Sequence, residues 1–153
     1  MIGKTIKISK NIKDTGRIAQ VFMAQILKNK NTKKRMGALV VGLSGELGTG
    51  KTAFTQAISK YLGIKRRINS PTFVLMKKYP LKNNQYKFLF HIDAYRLKNE
   101  KELLHLGWDE IINNKEHLIF IEWPENVIKI MPKNSVFVNI SHTKEEHRSF
   151  KIK

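Results

Sequence analysis

The sequence predicts an α/β fold of three layers, a mixed β-sheet flanked by helices. Three observations predict it. Ala38-Leu-Val-Val-Gly-Leu43 is a continuous apolar run, as expected of a strand covered on both faces. A glycine-rich stretch, Ser44–Gly50, follows, and then a helical stripe of Ala53, Phe54, Ala57, Ile58, Tyr61 and Leu62, with Gly63 where a C-terminal cap belongs. Towards the C-terminus Val136, Val138 and Ile140, and then Phe150 and Ile152, alternate with polar residues as two antiparallel strands do.

The remaining elements follow in order. Thr5–Ile8 reads as a short edge strand. Ile18, Val21, Phe22 and Ile26 keep helical spacing after Asp14 or Thr15, either of which is an adequate N-cap. Asn29–Arg35 reads as a charged loop. Thr72–Tyr79 and Tyr86–Ile92 predict two strands of an antiparallel hairpin, joined through the turn-forming stretch Pro80–Gln85. A short helix is expected over Glu100–Leu106, and Leu118-Ile-Phe-Ile121 is a second buried strand, ending in Glu122. With no repeat and no low-complexity linker, residues 1–153 are expected to form a single domain.

Composition narrows the function classes. Hydrophobic residues are 41% of the 153, enough to build a core, so wholesale disorder is excluded. There is no cysteine, which removes disulfides, thiolate metal sites and a cysteine nucleophile together. The longest apolar run is far too short to span a bilayer, and Lys4, Lys7 and Lys10 interrupt any signal-peptide pattern, so a cytoplasmic protein without a membrane role is expected. The net charge of +17 would ordinarily suggest nucleic acid. Lysine supplies 23 of the 29 cations, however, and Lys, Asn and Ile together make up about a third of the chain, the mark of an AT-rich genome. No stacking motif accompanies the charge, so direct RNA contact is left open.

Gly45-Glu-Leu-Gly48-Thr49-Gly50-Lys51-Thr52 satisfies G-x-x-x-x-G-K-[ST], with a strand before it and an amphipathic helix after it. Glycines let the backbone wrap a phosphate, and the helix aims free N–H groups and its positive dipole end at that anion. Lys51 is expected to reach the β- and γ-phosphates, and the Thr52 hydroxyl to hold Mg²⁺. The fold class thereby sharpens to a three-layer P-loop NTPase fold.

A magnesium ion needs a further oxygen ligand, normally a carboxylate at the end of a neighbouring apolar strand. Asp93, after Phe88–Ile92, and Glu122, after Leu118–Ile121, both qualify, although either alone could be a cap or a solvent-facing strand end. Ser70-Pro71-Thr72 reads either as a turn before a strand or as a switch in which Thr72 senses the γ-phosphate and its metal. Asn114-Lys115-Glu116-His117 resembles the guanine-reading N-K-x-D but lacks the Asp, so no GTP preference is expected. The five histidines show no metal-ligand spacing.

Four motifs in fixed order carry a resemblance: Gly-Glu-Leu-Gly-Thr-Gly-Lys-Thr (45–52), Ser-Pro-Thr-Phe (70–73), His-Ile-Asp-Ala-Tyr-Arg-Leu (91–97) and Ile-Glu-Trp-Pro-Glu (121–125). From about Asp14 to Arg148 the chain resembles TsaE (YjeE), the small bacterial ATPase family required for N6-threonylcarbamoyladenosine (t6A) in tRNA. The resemblance implies that Gly48, Thr49, Gly50, Lys51, Thr52 and Ala53 hold the ATP phosphates. It implies Thr52 and Glu122 as Mg²⁺ ligands, Asp93 as an essential acid near the γ-phosphate, Thr72 as the switch threonine and Arg148 as a nucleotide contact. Lys51, Asp93, Glu122 and Thr72 are then the catalytic candidates. Thr49 stands where Ala is more usual, and Ala53 where Ser or Thr often lies, but contacts there come mainly from backbone N–H. The family docks on a TsaD–TsaB complex, so a weak ATPase is expected in isolation. The alternatives are a small-molecule P-loop kinase and a basic RNA-binding module with a vestigial nucleotide site.

Overall fold

The computed structural model describes residues 4–82 and 85–153. Its sheet has seven strands in the order β1-β7-β6-β2-β5-β4-β3. The strands are β1 (Thr5–Ser9), β2 (Leu39–Ser44), β3 (Met76–Pro80), β4 (Phe88–Asp93), β5 (His117–Glu122), β6 (Val136–His142) and β7 (Arg148–Ile152). β2 runs parallel to both β5 and β6, and β5 parallel to β4, whereas β3, β7 and β1 are antiparallel to their neighbours.

The apolar runs lie at the centre of the sheet because only there are both faces covered. Along β2, Leu39, Val41 and Leu43 face one cluster with Phe22, Met23, Phe54 and Ile58; these come from α1 (Ile12–Lys28) and α3 (Lys51–Tyr61). Val40 faces the opposite way, to Phe90, Ile92, Ile119 and Ile121. That second layer is closed by Leu103 of α4 (Lys101–His105), Trp108 of α5 (Trp108–Ile112) and Val127 of a 3₁₀ helix (Pro124–Ile130). The three-layer α/β architecture with a mixed sheet is therefore present, and β1 is indeed an edge strand.

Four boundaries differ from expectation. Helix α1 is capped by Asn11, not by Asp14 or Thr15: the Asn11 side chain accepts from Asp14 N at 3.0 Å, and Asp14 Oδ2 accepts from Lys10 N at 3.0 Å. Ile12 is 68% exposed, so the first turn carries no apolar signal, and Val21 also faces solvent. Within the supposed loop 29–35 lies a one-turn helix, α2 (Lys30–Lys33), because Asn29 Oδ1 caps it at Asn31 N (2.9 Å) and Thr32 Oγ1 donates back to Ile26 O (2.7 Å). The hairpin strand begins at Met76, not Thr72; residues 72–74 form a turn, and Leu75 has φ 62°, which breaks the extended path. Tyr86 precedes β4 and is buried outside the ladder, while part of the Pro80–Gln85 connection lies outside the described residues. Neither α5 nor the 3₁₀ helix has a counterpart in the sequence reading.

Candidate nucleotide and metal site

The parallel strands β2, β5 and β4 end together, with Glu122 between Leu43 and Asp93 at their C-terminal ends, where open α/β sheets carry their sites. The chain leaving β2 must then turn sharply into α3. Gly45 (φ 146°) passes so close to Ile140 O and Thr49 Oγ1 that a β-carbon has no room. Gly50, at φ 102°, is the N-cap of α3 and contributes no side-chain cap. The N–H groups of the first turn thus remain available to an anion. Thr49 is buried and its hydroxyl donates to Glu46 O at 2.9 Å, holding the loop shut on itself. Gly45→Ala is expected to be the most disruptive small substitution in the loop. Thermal melting should show a loss of about 1–3 kcal/mol, the cost of overpacking a tight site, and nucleotide affinity should fall with it.

Lys51 is only 5% exposed. Its ammonium folds back across its own loop, donating to Gly45 O (2.6 Å) and Glu46 O (2.8 Å), and sits 4.4 Å over the Trp123 ring. Burial pushes its pKa below the ordinary lysine range, partly opposed by the carboxylates of Glu122, Glu125 and Asp93. This is a cation held out of water, and a phosphate would relieve that cost.

The two acids are opposite each other in register on β4 and β5, and both are buried. Glu122 Oε1 accepts from Thr52 Oγ1 at 2.9 Å and lies 2.8 Å from His91 Nε2. Asp93 Oδ2 accepts from Thr72 Oγ1 (2.9 Å) and Ser70 Oγ (3.1 Å), and its Oδ1 accepts from Tyr95 N (3.0 Å). Arg148, at the start of β7, brings its Nε to 3.4 Å from where a Gly50 β-carbon would stand. That Nε is buried without a hydrogen-bond partner among the described residues. Gly48 is exposed at φ 77°, and Ala53 lines a cleft of about 500 Å³ between α1 and α3.

Lys51, Thr52, Thr72, Asp93, Glu122 and Arg148 therefore gather around one loop, although they come from five places in the chain. The donors suit the groups that the P-loop implies. A hydroxyl and a carboxylate are hard oxygen ligands for Mg²⁺, and the unpartnered Arg148 Nε together with the first-turn N–H groups suits phosphate.

The sequence reading assigns no contact to three participants. His91 is fully buried with Nε2 2.8 Å from Glu122 Oε1, and wherever that carboxylate is ionised it is Nε2 that donates. Its signal was its spacing: two residues before Asp93 on a strand, it shares that acid's face. Ser70 adds a second hydroxyl to Asp93. Trp123, at φ 58°, stacks on both Lys51 and the Tyr95 ring (5.0 Å), and no local pattern marks that role. The N-K-x-D look-alike is structural: Asn114 Oδ1 accepts from Glu116 N (2.9 Å) in the turn entering β5.

A family model described as threonylcarbamoyl adenosine biosynthesis protein TsaE matches residues 9–150. The chain belongs to the TsaE family. A Haemophilus influenzae TsaE, described as a tRNA threonylcarbamoyladenosine biosynthesis protein, is 34% identical over 119 residues, 78% of this chain and 71% of the relative. The TsaE of Rickettsia typhi, with the same description, is also 34% identical, over 142 residues that cover 92% of this chain and 89% of that one. Among solved structures, YdiB of Bacillus subtilis superposes with a TM-score of 0.73 at 24% identity, covering 99% of this chain and 86% of the other. That likeness establishes the fold. The four motifs that carried the resemblance all lie inside the span matched by the TsaE family model.

Proposed function

We propose that this TsaE-family chain binds ATP with Mg²⁺, hydrolyses it, and thereby supports t6A formation in tRNA together with a TsaD–TsaB complex. The single observation that carries this reading is the 2.9 Å hydrogen bond from Thr52 to Glu122, which joins the first turn of the phosphate loop's helix to the end of a buried parallel strand. The unit is one P-loop ATPase domain over residues 1–153. No helix among the described residues is long and apolar enough to cross a membrane, and a cytoplasmic place follows from the tRNA pathway.

Gly48, Thr49, Gly50, Thr52 and Ala53 would cradle the phosphates through backbone N–H groups, with Lys51 and Arg148 as cationic contacts. Thr52 and Glu122 would hold the Mg²⁺, whose charge, when bound, neutralises the phosphoryl oxygens. His91 keeps the Glu122 carboxylate aimed at Thr52. Asp93, fixed by Ser70, Thr72 and Tyr95 N, is the acid assigned to the γ-phosphate side, where a carboxylate orients water. The work is positioning and charge stabilisation, which suits a weak ATPase that depends on its partner. A small-molecule kinase is the less favoured alternative, because the family match names t6A biosynthesis.

The deciding test is reconstitution: the chain, TsaD, TsaB, tRNA and Mg·ATP, with t6A and phosphate release both measured. Stimulated hydrolysis with t6A formation is expected. Phosphorylation of an added small acceptor instead would replace the reading with the kinase. In the same assay GTP should not outperform ATP, since the guanine-reading Asp is missing; a tenfold GTP preference would remove the assignment of ATP.

Thr72→Ala tests coupling. The variant loses one of two hydroxyls on Asp93 Oδ2 while the phosphate loop stays intact. Nucleotide affinity should stay within a few-fold, whereas partner-stimulated hydrolysis and t6A formation should fall together. Full stimulated turnover would reduce Ser70–Thr72 to a turn before β3.

A further inference from the structure

From Leu47 through Ile92 the chain has no Asp or Glu, although it carries nine Lys and Arg there. Lys51 belongs to the nucleotide site and Lys87 pairs with Glu116 at 2.8 Å. The other seven are gathered by the fold onto one surface, between the end of α3 and the edge strand β3. Three clefts of about 600, 320 and 420 Å³ open there, and Arg66 lines all three, so they adjoin around one side chain as a grooved basic surface. Lys65, Arg67, Lys77 and Lys78 line its walls, with Lys60 and Lys82 at its ends. Among the described residues the ion pairs are Arg17–Asp14, Lys87–Glu116 and His91–Glu122, so no groove cation is neutralised by a carboxylate.

Composition bias enriches lysine everywhere; it does not segregate cations from acids. Lysines on an edge strand also deter strand pairing, which accounts for Lys77 and Lys78 but not for Lys65, Arg66 and Arg67 in the loop. We infer that this groove binds the phosphate backbone of RNA. Arg66 is stacked over the Tyr79 ring at 4.8 Å, which preorders its planar fork for a phosphate. The concave shape suits a nucleic-acid strand better than a flat anionic bilayer. Along the chain the groove leads towards the nucleotide site: Asn69 on its wall precedes Ser70, and Gln56 of α3 donates to Ile68 O at 2.7 Å. The choice of tRNA as the natural ligand rests on the proposed t6A role; the groove's affinity for phosphate chains does not.

The test uses the full chain and total tRNA, with binding followed by fluorescence anisotropy between 50 and 200 mM salt. Neutralising Arg66→Gln, Arg67→Gln and Lys78→Gln together should weaken tRNA binding about tenfold or more and lower the log–log salt slope by roughly two to three. A charge-matched variant on other surfaces, Lys30→Gln, Lys33→Gln and Lys129→Gln, should bind nearly as the wild type does. Equal weakening by both sets would overturn the groove, leaving only diffuse attraction. Polyglutamate or anionic vesicles bound as tightly as tRNA would overturn RNA as the occupant. ATP hydrolysis is read on the same samples and should be unchanged by the groove variant. Loss of hydrolysis in every sample, wild type included, would count against the ATPase reading alone, because the RNA measurement contains no nucleotide.

Discussion

Lys51→Ala is expected to abolish productive nucleotide binding. The ammonium is held against the phosphate loop by Gly45 O and Glu46 O and is covered by the Trp123 ring just past β5. Losing a charge-assisted contact of about 1.5–3 kcal/mol weakens binding roughly 10- to 100-fold. Hydrolysis should fall further, by about 10²–10³, because a preorganised cation matters most where charge develops. The fold should survive, since desolvation already makes this charge unfavourable in the folded state. The sign gives a second readout. A lysine whose folded pKa is lowered is bound more tightly to its proton in the unfolded chain. Its unfavourable contribution is therefore complete below the folded value and fades as pH rises through it toward the ordinary lysine range. The pH-dependent part of the stability difference between Lys51→Ala and wild type should therefore shrink in alkaline melts of the nucleotide-free chain. Wild-type hydrolysis by the variant would remove the phosphate-loop assignment.

Glu122→Gln is expected to separate metal binding from structure. The amide oxygen still accepts from Thr52 and His91, so the buried hydrogen bonds are kept and the melting temperature should move little. What goes is the charge in the proposed metal shell. The Mg²⁺ concentration needed for half-maximal hydrolysis should rise about tenfold or more, and turnover should drop by roughly 10²–10³. Nucleotide binding measured without metal should change far less. An unchanged magnesium titration would make Glu122 a structural partner of His91 and nothing more.

The contrast between these residues explains what could be read early. Lys51 and Thr52 follow their glycines directly, so a contiguous motif exposes them. Asp93 and Glu122 each end an apolar strand, which is a local pattern, but nothing local says that the two strands are neighbours in register. His91 shares a strand face with Asp93 and yet reaches across to Glu122, on another strand. The α1 start and the α2 turn are hidden for a simpler reason. Their signals are side-chain caps, Asn11 and Asn29, rather than apolar periodicity.

The layered fold, the phosphate loop and the strand-end acids are legible in the chain because periodicity, glycine placement and strand termini act over a few residues. That Thr52 meets Glu122, that Ser70 and Thr72 both hold Asp93, and that Arg148 stands beside Gly50 emerges from long-range packing. The same packing draws the cations of an acid-free stretch onto one grooved surface. These contacts join residues far apart along the chain, and their geometry is fixed by sheet order and helix packing, quantities that no short window of sequence contains.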